Sequence, residues 1–291
     1  MIYQIILNGF LLGGLFAVVG MGFSVVWGVM NLINLAHGAF IMLGAYITFW
    51  LFDWWGIDPF LSIPISMVLL FSLAYVIQRY VINLVVRAQV FMTLILTFGL
   101  EILIMNLSTV AWTGNYRSVT TAYSGANIEL GFLIVPSVRL AIFAIALIIT
   151  AGLYFFISKT KTGNAIKATS LDKEAAQLVG VDIGKMYALT FAIGGALAGA
   201  AGSLLAIISA ISPYMGGPYT LKAFVICVLG GLGSTIGLII GGIVLGMAES
   251  LGTITLGPGY SDAIAFVLLV IILAIRPEGI LGKKFFAEVK H

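Results

Sequence analysis

The chain has 291 residues, of which 61% are hydrophobic and only 9% charged, with a formal net charge of +3. Soluble domains carry about 25% charged residues, so this composition and a mean hydropathy of +1.16 exclude a water-soluble globular protein. The basic residues sit in short connections between apolar runs, where they report orientation in a bilayer and give no basis for nucleic-acid binding.

The opening residues, MIYQIILNGF, have no basic region and no short apolar core ahead of a cleavage site, which predicts an uncleaved first span over about residues 5–27. Eight further apolar runs follow, at about 36–52, 60–82, 90–112, 137–157, 187–211, 220–232, 235–251 and 261–276. A helix needs roughly 20 apolar residues to cross about 30 Å of hydrocarbon. The expected fold is therefore all-α, a polytopic transmembrane bundle of eight or nine segments forming one domain over residues 1–291, with membrane lipid as its surroundings. Stripes of small residues at helical spacing predict close helix packing. They are Gly9, Gly13 and Ala17 in the first span, Gly195 and Gly199 in the sixth, and Gly237, Gly241, Gly242 and Gly246 in the eighth.

Gly28 and the polar stretch NLINLAHGAF, residues 31–40, interrupt the helical pattern at the end of the first span. Asn31, Asn34 and His37 are spaced by three, which predicts that they line one side of any helical turn they form, and Gly38 permits close backbone approach. Two readings stand side by side: a turn capped by Asn side chains, or polar groups lining a translocation path. In the fourth span Thr93, Thr97 and Glu101 share a helix face, and a carboxylate at that depth calls for a partner or an aqueous route. Structural carboxylate and substrate contact are again both open. Glu249, nearer an end of the eighth run, reads as interfacial.

Residues 158–186 form the longest polar connection, too short for an enzymatic domain. Thr169 and Asp172 match the spacing of a capping box, and Leu171, Ala175, Leu178 and Val179 then recur at helical spacing until Gly180. This predicts a short amphipathic helix whose apolar side needs either its own bundle or the groove of another protein. Further on, LKAFVICVLGGLG reaches only about 20 Å at about 1.5 Å per residue and cannot cross alone. Two readings resolve this: a half-helix broken at Gly230, Gly231 and Gly233 that hands over to a returning helix near Ser234, or a glycine-rich pair of ordinary helices packed tightly.

Of the 14 basic residues, 11 fall on one face: Arg79, Arg87, Lys159, Lys161, Lys167, Lys173, Lys185, Arg276, Lys283, Lys284 and Lys290. The positive-inside tendency makes that face cytoplasmic, with the N-terminus outside and the C-terminus inside. Cys227 is the single cysteine, so no intrachain disulfide forms. With one cysteine and one histidine away from the terminus, neither catalytic residues nor metal ligands are expected.

EAAQLVG, from Glu174 to Gly180, resembles the cytoplasmic coupling motif of ABC import permeases. Together with GVMNLINLAHGAFIMLGAY, KTKTGNAIKA, LKAFVICVLGGLGSTIGLIIGGIVLGMAES and LAIRPEGILGKK, it is similar to the permease family of branched-chain amino acid ABC importers, specifically the shorter subunit. The chain departs from the family at Ala39, a position often acidic there. The resemblance implies a subunit of the prokaryotic cytoplasmic (inner) membrane that pairs with a longer paralogous permease. It also implies two cytoplasmic ATP-binding subunits and an extracytoplasmic substrate-binding protein, with no cofactor on this chain. No G-x-x-x-x-G-K-[ST] loop is present, consistent with energy arriving from a partner. By this resemblance Asp172, Glu174, Ala175, Ala176 and Gly180 dock the ATPase. Asn34, His37, Gly38, Thr97 and Glu101, with the Gly230, Gly231, Gly233 and Ser234 break, are the candidates for the substrate path. Urea or short amides are alternative cargoes, and an ion-coupled secondary carrier is the alternative class.

Overall fold

The computed structural model describes residues 2–86, 90–130, 133–231, 234–276 and 279–281. Each of the nine apolar runs is a helix: α1 (Ile2–Met30), α2 (His37–Trp55), α3 (Pro59–Tyr80), α4 (Val90–Trp112), α5 (Ser137–Lys159), α8 (Ile183–Ile208), α9 (Gly216–Gly230), α10 (Thr235–Thr255) and α11 (Ser261–Ile275). The long polar connection adds α6 (Lys161–Leu171) and α7 (Lys173–Leu178). The only sheet among the described residues is an antiparallel hairpin, β1 (Asn127–Leu130) with β2 (Leu133–Pro136), in register Asn127 to Pro136. Among the described residues six helices are long and apolar enough to cross a membrane: α1, α3 with its following turn, α4, α5, α8 and α10. Helices α2, α9 and α11 are too short or not apolar enough to count by the same measure.

The chain divides into two compact units. The first comprises residues 1–24, 121–150 and 221–291. Its glycine stripes do what their spacing predicts. A Cβ on Gly9 would stand 2.7 Å from Met247 Cα and one on Gly13 2.5 Å from Ile243 Cα, while Gly242 and Gly246 return the contact against Ala17 and Gly13. Backbone thus meets backbone along α1 and α10, the arrangement that small residues allow where lipid offers no hydrophobic drive. Gly237 and Gly241 press in the same way on Gly230 and Ile226. Phe143 of α5 covers Gly14, and the hairpin is tied down by the Gln4 side chain, whose Nε2 donates to Ile134 O at 2.6 Å and whose Oε1 accepts from Ile134 N at 3.0 Å.

The second unit comprises residues 25–120 and 151–220, and α8 is its centre. Eighteen of the α8 residues are buried. Gly195 and Gly199 admit Leu70 and Ser66 of α3, and Gly202 admits Ile41 of α2. Hydroxyls then join the helices at these close approaches: Ser66 Oγ lies 2.6 Å from Ser203 Oγ, and Thr48 Oγ1 lies 2.8 Å from Ser62 Oγ. Local chemistry sets the helix ends. Asp58 accepts from Phe60 N at 2.8 Å with Pro59 in the first turn of α3, and Asp182 accepts from Lys185 N at 3.0 Å at the start of α8.

Candidate translocation and coupling sites

Helix α1 ends where Asn31 takes a left-handed φ of 51°, a conformation asparagine tolerates better than most residues. Residues 31–34 are non-helical, and α2 begins only at His37. Asn31, Asn34 and His37 therefore do not share a helical turn as their spacing predicts. Asn31 is exposed, whereas Asn34 and His37 are buried in the unwound stretch and at the helix start. No side chain caps α2, so the Asn-capped turn is absent as well.

Unwound backbone inside an apolar bundle must find hydrogen bonds elsewhere. Two threonines supply them. Thr97 Oγ1 accepts from Leu35 N at 3.2 Å and lies 3.1 Å from Ile33 O as a donor. Thr220 Oγ1 accepts from Gly38 N at 2.8 Å and lies 3.0 Å from Leu35 O as a donor. Sequence reasoning selected Thr97 and missed Thr220, whose signal is a hydroxyl in an apolar run four residues after Gly216.

Thr220 belongs to α9, which starts against α2. A Cβ on Gly38 would collide with Gly216 O and Thr220 Oγ1, and one on Gly216 would stand 3.0 Å from Gly38 C. Glu101 Oε1 lies 3.6 Å from where a Cβ on Gly217 would sit, so the half-buried carboxylate faces the first turn of α9. Asn34, His37, Gly38, Thr97 and Glu101 are thereby gathered around the adjacent N-termini of α2 and α9. The strand-like lead into α9 is held by a two-way backbone pair between Arg117 and Ile211, at 2.9 and 2.7 Å. The Arg117 guanidinium in turn lies 4.7 Å from the Trp50 ring centroid and donates to Trp112 O at 2.8 Å.

The second break belongs to the other compact unit. Gly230 ends α9, Gly231 takes φ 85°, and Ser234 caps α10 by accepting from Gly237 N at 3.0 Å. Gly233 lies outside the described residues. Ile280 N donates to Leu229 O at 2.7 Å, bringing the end of the described chain onto this break.

In the polar connection, one amphipathic helix was expected and two short ones are found. Thr169 caps nothing: its hydroxyl donates back to Ala165 O at 2.8 Å within α6. The α6 cap is Thr160, and Asp172 starts α7 by accepting from Glu174 N at 2.9 Å and Ala175 N at 3.0 Å. Gly180, at φ 87°, ends the segment as its position predicts. Asp172, Glu174, Ala175 and Gly180 are exposed, and Ala176 is buried. Leu171, Leu178 and Val179 are 87%, 88% and 80% exposed, so the apolar side is left without cover from this chain. Behind α7 a cavity of about 1030 Å³ is lined by Asp172, Glu174, Asp182 and Tyr187 and reaches Met30 and Asn31 at the end of α1. No metal-ligand cluster occurs among the described residues.

A family described as branched-chain amino acid transport system, permease component, matches residues 5–273. The chain belongs to this family. The permease protein BraD of the high-affinity branched-chain amino acid transport system of Pseudomonas aeruginosa is 32% identical, covering 96% of this chain and 95% of that protein. LivH of Escherichia coli is 31% identical over the same shares. LivM of Escherichia coli is 25% identical, covering 92% of this chain and 68% of LivM. Among solved structures, PsaBC from Streptococcus pneumoniae in complex with Fab aligns with a TM-score of 0.52 at 13% identity, over 93% of this chain and 91% of that one, a likeness of fold alone. This branched-chain permease is thus a multi-pass membrane protein of the LivH type.

Proposed function

We propose that this permease is one transmembrane subunit of an ATP-driven importer that moves branched-chain or related amino acids across the cytoplasmic membrane. In this reading residues 1–291 act as a single permease domain beside a LivM-like partner. Two ATPases power the pair, one of them docking at residues 158–186 of this chain, and an extracytoplasmic binding protein delivers solute. The N-terminus is outside and the C-terminus inside.

The observation that carries the reading is the exposed α7 segment with the cavity behind it. Leu171, Leu178 and Val179 offer an apolar surface that this chain does not cover, as a segment seated in a partner's groove would. The cavity separates Asp172 and Glu174 from Asn31, so it leaves room for α7 to move inward against the unwound stretch that leads into α2. Movement there alters the Gly38 and Gly216 contact beside Glu101, and alternation between two packings opens the path to one side and then the other. ATP is hydrolysed by the partners, and this chain contributes the lever and the path.

The test is leucine uptake into proteoliposomes containing the permease pair, the ATPases and the binding protein. Uptake that requires internal ATP and stops when the ATPase is inactivated supports the reading. Uptake driven by an ion gradient without ATP overturns it in favour of a carrier, and transport of urea or acetamide in place of leucine overturns the cargo.

A further inference from the structure

Within the first compact unit, one lysine and two carboxylates meet where three helices converge. Lys222, in the second turn of α9, is 7% exposed, and its Nζ lies 3.0 Å from Glu249 Oε1 on α10, itself 5% exposed. The same Nζ lies 3.4 Å from Asp262 Oδ1 and donates to Ser261 Oγ at 3.2 Å, both in the first turn of α11. It also stands 5.6 Å from the ring centroid of Phe16 on α1. Glu249 is accordingly buried against a lysine, and Lys222 lies within a helix and not in a connection.

Charges withdrawn from water are costly even when paired, and apolar residues of similar volume fill such positions at no desolvation cost. An ion cluster kept among apolar helices is for that reason a candidate for function. Two further features give this cluster a ligand. It holds one formal positive charge against two negative ones, so one carboxylate charge is left for an ammonium group while the lysine can still take a carboxylate. It is also open on one side, because the Asp262 side chain is 51% exposed.

We propose that this cluster is a binding site for the charged end of a zwitterionic amino acid. The ligand ammonium enters at Asp262 and seats between Asp262 and Glu249, and its carboxylate takes the Lys222 ammonium and the Ser261 hydroxyl. The two internal pairs of Lys222, with Glu249 and with Asp262, are loosened in exchange for pairs of the ligand ammonium with both carboxylates and of its carboxylate with Lys222. A solute bearing only one of the charges, or neither, therefore leaves a buried group without its counterpart. The proposal rests on the reading of the chain as an amino acid permease and adds to it a residue-level requirement for both charges.

The experiment is equilibrium binding to the full-length permease in lipid nanodiscs, without the binding protein, probed with leucine, leucinamide and 4-methylpentanoate. Leucine is expected to bind saturably, and the two single-charge analogues to bind about tenfold or more weakly, the equivalent of one lost charge-assisted contact. Asp262→Asn, at a half-exposed position, should weaken leucine binding about five- to tenfold on the same scale. The double exchange Lys222→Glu with Glu249→Lys restores an ion pair between the helices but inverts the site. It should keep the thermal midpoint while losing leucine binding. Equal binding of all three probes, an Asp262→Asn affinity within about twofold of wild type, or full leucine binding by the double exchange would each overturn the site and leave a structural ion pair. ATP-driven leucine uptake is measured separately, on the same purified permease reconstituted into proteoliposomes with its partner, the ATPases and the binding protein. Uptake with a negative binding result sinks the site alone, and absence of uptake sinks the reading beneath it.

Discussion

Gly38 and Gly216 meet backbone against backbone at the adjoining starts of α2 and α9, with no room for an added carbon on Gly38 and only a tight 3.0 Å approach for one on Gly216. Each helix is preceded by non-helical chain, residues 31–34 and 209–212, so neither continues directly from the long helix before it. Non-helical backbone inside a bundle is tolerated where protein or a water-filled cavity surrounds it. In the proposed transport cycle this crossing is the moving part.

Gly38→Ala should therefore be far more damaging than its size suggests. The new methyl is driven into Gly216 O and Thr220 Oγ1, and overpacking of this kind costs about 1–3 kcal/mol. A lowered thermal midpoint of the purified permease, together with lost leucine uptake, is the expected result. An unchanged midpoint would show that α2 and α9 are free to separate.

Thr220→Val keeps the shape and removes the hydroxyl that serves Gly38 N and Leu35 O. A buried backbone group left without a partner costs about 1–3 kcal/mol. Thr220→Ser should recover most of the loss in thermal stability. If Val and Ser behave alike, the hydroxyl is not what satisfies the unwound chain.

Gly180→Ala tests backbone conformation alone, since nothing lies within contact distance of the added carbon and φ is 87°. The left-handed conformation costs a non-glycine residue about 1–2 kcal/mol, and asparagine adopts it more readily. Uptake and retention of the ATPase on co-purification should fall in the order Gly, Asn, Ala. Equal retention by all three would mean that the end of α7 plays no part in docking.

Glu174→Lys and Leu178→Asp lie on the exposed surface of α7 and should leave insertion and thermal stability of the permease intact. Both should loosen the ATPase, the first by reversing a charge and the second by spoiling an apolar contact. Co-purification of the full complex at wild-type yield would count against the docking surface.

Much of this was legible in the sequence because bilayer constraints write themselves into composition. All nine apolar runs are helices, the glycine stripes at Gly9, Gly13, Gly242 and Gly246 are contacts, and Gly180 and Gly231 sit at positive φ where the chain must turn. What the sequence hid depends on partners distant in the chain. The spacing of Asn31, Asn34 and His37 fits a helical turn, whereas Thr97 and Thr220, 62 and 185 residues from Leu35, satisfy the backbone of an unwound stretch instead. Thr169 and Asp172 satisfy a capping pattern, but the Thr160 cap starts a helix earlier and Thr169 is already inside it. Lys222 lies inside an apolar run and could be understood only once Glu249 and Asp262 were found beside it.

The placement of α7 on the cytoplasmic side is the claim on which coupling depends. It is tested most directly by a single cysteine at Leu178, in a chain where Cys227 is replaced by alanine, exposed to a membrane-impermeant maleimide. The account predicts no labelling in intact cells and full labelling in inside-out vesicles, with protection when the ATPase is bound. Labelling from outside intact cells would contradict it, because no nucleotide-driven partner could then reach the segment.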